Sequence, residues 1–179
     1  MDGTALVMDG LVRGGQALSQ NLDGITDEEL HGEPHPSIAW MAWRAGRVID
    51  HNIADLIAEP QIWVKDGWHE RFGMAPDPMD FGPGQIHTKA HVQAFRTPSA
   101  QTLLDYYDAC LASARSFVEA LSPADLDRVL DEPCYDPMPT VGVRLVSVTV
   151  AVAQSTGTVR YLHWLHRRGG WFPGDEARS

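Results

Sequence analysis

Several residues of this chain are of types and spacings that carry chemistry. His87 and His91 stand four apart in HTKAH, so on a helix both imidazoles face one way, as in a metal-ligand pair. No glutamate follows the first histidine, which excludes a metalloprotease signature, and without a third ligand the pair reads as exposed imidazoles on a polar lid. His163 and His166, beside Arg160, Arg167 and Arg168, suit the C-terminal end of a helix, where cations complement the dipole. Ser155 lacks the glycines of a nucleophile elbow and has no identifiable histidine–acid pair, which argues against a catalytic triad. Arg44 and His51 are seven apart and share a helix face. Trp43 and Trp68 either line a ligand cavity or belong to the core.

The elements that position these groups are helical. Leu6, Val7, Leu11, Leu18 and Leu22 recur at helical intervals from Thr4 to Leu22, and Thr26 with Glu29 forms a capping-box pattern. A clearer helix has Ser37 as N-cap and Pro60 as stop, with Ile38, Met41, Ala45, Ile49, Ile53 and Leu56 along one face. Between Pro60 and Pro98, glycines and prolines punctuate Trp63, Trp68, Phe72 and Phe81, the pattern of a binding loop or lid packed over something. SAQTLLDYYDACLASARSFVEAL is the next long helix, and Ser122 with Pro123 opens a short one.

The stretch from Arg144 to Gly170 offers two readings. Val146, Val148, Val150 and Val152 alternate as in a strand, yet Val141, Leu145, Val148, Val152, Ser155, Val159, Leu162 and His166 step by three and four over the whole length. The longer pattern predicts one helix of about seven turns, from Thr140 to a glycine stop at Gly169–Gly170. On it Ala151, Ser155 and Thr158 face inward as a small, mildly polar recess, whose hydroxyls either bond back to carbonyls of the preceding turn or meet a ligand. The expected architecture is an all-α, up-and-down four-helix bundle spanning residues 1–179 as one domain, with a long excursion between the second and third main helices.

Composition sets outer bounds. The 179 residues are 44% hydrophobic and 21% charged, ordinary for a globular protein, and the net charge of −10 repels phosphate backbones and anionic lipid. We therefore expect neither nucleic acid nor membrane as a partner. No secretory leader pattern and no long apolar run occurs, which predicts a cytoplasmic protein. Cys110 and Cys134 are too few for a disulfide framework, and Cys110 sits in an apolar run as a buried structural thiol.

Taken together, SIAWMAWRAGRVIDH, WVKDGWHERFGM followed by FGPGQIHT, LLDYYDAC and VGVRLVSVTVAVAQSTGTVRYL make the chain resemble the DinB/YfiT-like superfamily of four-helix bundles, especially its actinobacterial members. That resemblance implies a divalent metal, often zinc or nickel, held by a histidine on the second helix and by a His, Glu or Asp one turn before a histidine on the last. Mycothiol-dependent maleylpyruvate isomerase and thiol S-transferases are relatives of known chemistry. At the matching positions this chain carries Arg44, Ala151 and Ser155, so a metal-free member with no cofactor is expected. The implied function is a binding module or catalytically silent paralogue, with a small and anionic molecule held by Arg44 near His51, Trp68, Ala151, Ser155 and Thr158. The alternative is an isomerase or transferase using a low-molecular-weight thiol, without metal or with one recruited by His87 and His91. Arg44 would otherwise pair internally with Asp50, Asp108 or another acid. A homodimer is expected from the wide helical stripes and from the habit of such bundles.

Overall fold

The computed structural model describes residues 2–76 and 88–167, and among them every regular element is a helix apart from an isolated bridge between Val129 and Thr140. Four long helices form the body: α1 (Gly3–Leu22), α3 (Ile38–Ile57), α7 (Ala100–Val118) and α9 (Val141–Arg167). Between them lie α2 (Asp27–His31), α4 (Ile62–Lys65), α5 (Trp68–Arg71), α6 (Lys89–Ala94) and α8 (Pro123–Leu126).

Side-chain oxygens set the helix starts, by accepting backbone N–H groups that the first turn leaves unpaired. Asp2 takes Ala5 N at 2.9 Å, Ser37 takes Trp40 N at 3.3 Å, and Ser99 takes Thr102 N at 3.1 Å. The expected capping box of Thr26 with Glu29 is formed, and Ser122 forms a second one with Asp125. The helix α3 stops at Ala58, whose φ of 54° is left-handed, two residues before Pro60.

The alternating valines of the last segment are helical. Val148, Val152 and Val159 are buried between α1 and α3, and this burial offsets the weak helix propensity of β-branched residues. The Gly169–Gly170 stop lies outside the described residues.

The all-α four-helix bundle is present, but its third long helix departs from simple alternation. Gly10 lies against Thr149, Gly14 against Val152, and Asn21 beside His163, so α1 and α9 run parallel. Contacts of Arg44 with Ser155 and of Asn52 with Arg144 make α3 antiparallel to α9. Thr97 N donates to His31 Nε2 at 3.1 Å, so α7 starts at the end where α3 starts, and the order is up, down, down, up. Residues 58–99 are the crossover, long enough to return the chain along the bundle before α7 begins.

This crossover also builds the core. Trp63 is fully buried, with ring centroids 5.7 Å from Trp43, 5.5 Å from Phe72 and 5.6 Å from Tyr106. Tyr106 fits because residue 46 is glycine: a Cβ there would meet its ring at 2.9 Å. Gly14 serves the same purpose for Tyr107, whose hydroxyl donates to Leu11 O at 2.7 Å.

Candidate functional site

Arg44 and Ser155 meet across α3 and α9. Arg44 Nη1 donates to Ser155 Oγ at 2.8 Å, and Ser155 Oγ donates its own proton to Ala151 O, also at 2.8 Å. Ser155 is fully buried, whereas Arg44 and Ala151 are half-buried. Burial pushes the Arg44 guanidinium below its ordinary pKa, which for arginine still leaves it charged. The serine hydroxyl thus spends its proton on the helix and offers a lone pair to the cation, a fixed polar junction.

His51, two turns along α3, lines a cavity of about 700 Å³ with Asn52, Arg144, Ser147, Tyr135 and Met138. The segment between α8 and α9 roofs it, pinned by the Val129–Thr140 bridge and by the ion pair of Glu132 with Arg144. Arg144 also bonds Asp55 at 3.0 Å and Asn52 at 3.3 Å. Burial works against the Arg144 charge, and Glu132 and Asp55 outweigh it and hold the pKa above the ordinary value. Burial pushes the His51 imidazole down, so it is neutral at pH 7. Gln61 Nε2 lies 3.3 Å from His51 Nδ1, an arrangement that leaves the ring proton on Nε2.

The deepest charges are ones that sequence reasoning missed. Asp50, offered above as a partner for Arg44, pairs instead with Arg47 at 3.2 Å, with both side chains at most 2% exposed. The carboxylate also accepts from Tyr106 Oη at 2.8 Å, Ile62 N at 2.8 Å and Trp63 N at 2.9 Å. Burial raises the Asp50 pKa, while the Tyr106 hydroxyl, the Arg47 cation and those backbone donors oppose that rise. Arg47 Cζ lies 4.6 Å from the Trp63 ring centroid. Because Asp50 holds the first residues of the crossover onto α3 and α7, this cluster is structural. The i, i+3 spacing of Arg47 and Asp50 was its one visible signal.

The other expected site residues separate. Trp68 is in the aromatic core, its centroid 5.2 Å from Tyr106, with Arg71 Cζ 4.2 Å from the ring centroid. Thr158 is half-buried and bonds back to Gln154 O at 2.9 Å, while its neighbour Thr156 is buried. His91 is exposed in α6, and His87 lies outside the described residues. Cys110 is fully buried, with its thiol pKa pushed well up by burial, and Cys134 is exposed. Asp108 is exposed as well.

The residues at the positions implied for a metal do not fit one. Arg44 and Ser155 converge as two ligands of a shared ion would, and Ala151 precedes Ser155 by one turn, yet a guanidinium has no lone pair, alanine has no donor, and the serine oxygen already serves Arg44. Among the described residues no group of three His, Cys, Asp or Glu side chains could hold a metal ion. No helix among them is long and apolar enough to cross a membrane.

A family model described as the DinB superfamily matches residues 11–149. The crystal structure of a conserved protein from Enterococcus faecalis is similar over 94% of this chain and 99% of its own, at 26% identity and a TM-score of 0.85. No curated protein matches the chain.

Proposed function

Because this chain belongs to the DinB superfamily, we propose that it is a member that works without a metal and binds a small molecule through an anionic group on Arg44. The supporting observation is the 2.8 Å bond from Arg44 to the buried Ser155. A permanent cation takes the ion's place between α3 and α9 and is held there by a hydroxyl. A carboxylate or phosphate complements a guanidinium better than any other common ligand group, and partial burial strengthens that attraction over its value in water. In a chain of net charge −10, such a centre contrasts with its surroundings.

A second reading is favoured by the His51 cavity. Its one guanidinium faces two carboxylates, Glu132 and Asp55, and its imidazole is neutral. An uncharged molecule or an amine, with an apolar body against Tyr135 and Met138, suits that cavity better than an anion.

Calorimetry on the purified protein distinguishes the two, titrating inorganic phosphate, small mono- and dicarboxylates, aliphatic amines and a low-molecular-weight thiol. Anion binding that Arg44→Gln abolishes supports the first reading, and amine binding abolished by a bulky Ser147→Trp supports the second. Absence of any anion binding at millimolar concentration sinks the first. Protein expressed with added zinc and nickel, without a histidine tag, should hold well under one equivalent of metal. A stoichiometric ion retained through gel filtration would overturn the metal-free reading.

A further inference from the structure

We infer that the His51 cavity, taken under the second reading above as a small-molecule site, selects one kind of organic cation: a primary or secondary ammonium on an apolar body. Its N–H groups are donated to Glu132, and the body lies against Tyr135 and Met138.

Glu132 lines the cavity, and its side chain is only 17% exposed. Oε1 accepts from Arg144 Nη2, whereas Oε2 has no hydrogen-bond partner among the described residues. A carboxylate oxygen largely withdrawn from water but lacking a donor is under-satisfied, and a positively charged donor completes it best. Arg144 is already committed, with Nη1 on Asn52 and Asp55 and Nη2 on Oε1.

The surrounding charge has the matching sign. Beyond Glu132 stand Asp55 on α3 and the exposed Asp131 and Asp136 on the roof, while Arg128 of that segment acts on Asp125. The Arg144 pKa is held above its ordinary value despite burial, as a negative local potential requires. Such a field gathers cations and repels anions. His51 is neutral and keeps its proton on Nε2, so it offers a donor and does not compete with Glu132 for the ammonium.

The lining also decides between kinds of cation. A quaternary ammonium has no N–H and is recognised by aromatic cages, yet Tyr135 is the one phenylalanine, tyrosine or tryptophan lining this cavity. A guanidinium binds best across both carboxylate oxygens, and Arg144 has taken one of them. A single remaining oxygen suits an ammonium. Tyr135 and Met138, 50% and 44% exposed, form with Pro137 and Pro139 an apolar wall open to water, and covering it with a hydrocarbon body is favourable. At about 700 Å³ the cavity accommodates a ring with its side chain.

The test is calorimetry at pH 7 with three probes that share one body: phenethylamine, phenethyl alcohol and phenethyltrimethylammonium. The amine should bind at least about tenfold more tightly than either of the others, the worth of one charge-assisted hydrogen bond. Glu132→Gln, with its helical circular dichroism retained, should bring the amine down to the level of the alcohol, and Ser147→Trp should abolish binding of all three. An alcohol that binds as tightly as the amine, with both lost in Ser147→Trp, overturns the selectivity and leaves the cavity as a small-molecule site. A quaternary probe equal to the amine overturns the hydrogen-bonded ammonium. Amine binding undiminished in Ser147→Trp, or no binding of any probe at millimolar concentration, overturns the inference together with the reading it rests on. Should Glu132→Gln fail to fold, the ranking of the three probes on the wild type decides alone.

Discussion

Tyr106 Oη donates a 2.8 Å hydrogen bond to Asp50 Oδ2, joining α7 to α3 at the point where Asp50 also holds the backbone of Ile62 and Trp63. One carboxylate thereby ties two long helices to the crossover between them. Asp50→Ala should cost about 3–5 kcal/mol, since it leaves Arg47 as a buried charge without its carboxylate. Tyr106→Phe keeps the ion pair but removes two bonds, the one to Asp50 and the one that the hydroxyl accepts from Arg47 Nη1 at 3.2 Å, and should cost about 1–3 kcal/mol. Urea unfolding measures both, and a Tyr106→Phe variant as stable as the parent would remove that hydroxyl from the network.

The convergence of Arg44 with Ser155 makes a metal site recoverable. Arg44→His, Ala151→Asp and Ser155→His together rebuild an i, i+4 pair on α9 and a facing imidazole on α3. The triple variant should bind zinc or nickel at one equivalent by elemental analysis, and each single variant should not. A folded triple variant without metal would show that the three positions do not share an ion.

Acid should weaken the fold through His51. Burial holds its folded pKa below the ordinary 6.5, so below that pH the unfolded chain binds more protons than the folded one. The stability from keeping the ring neutral is complete above about pH 6.5 and is lost as the pH falls toward the folded pKa. His163, also lowered by burial, acts in the same sense. Denaturation series from pH 7.5 to 5 should give a shallower decline for His51→Gln than for the parent, and equal slopes would exclude His51 as a contributor.

The two thiols should differ sharply. Cys110 is sealed in the core with its pKa raised, and a thiol that stays protonated and inaccessible does not react. A thiol reagent at pH 8 should label one cysteine quickly, and Cys134→Ser should abolish that fast phase. Rapid labelling of Cys110 in folded protein would mean that the α3–α7 interface opens readily.

Much of this architecture is legible in the amino-acid sequence itself. Caps and periodicity act within a few residues, so Ser37, Ser122, the Thr26–Glu29 capping box and the helical stripe of α9 can be read directly from the chain. Even the meeting of Arg44 with Ser155 follows from the likeness to a bundle whose helices place those positions together. Partner choice between elements was decided by the tertiary structure. Asp50 meets Arg47 because the two are i, i+3 neighbours on α3, whereas Arg44 is six residues away; what tertiary structure added was the burial of that pair under Tyr106, Ile62 and Trp63. The sense of α7 was open: a segment of some forty residues can return the chain in either direction, and packing of Trp63, Phe72 and Phe95 into the core fixed which. Trp68 likewise joined the core because Tyr106 offered it a face. Local hydrogen bonds name the helices, whereas burial of large side chains, acting over the whole chain at once, sets their directions and their pairs.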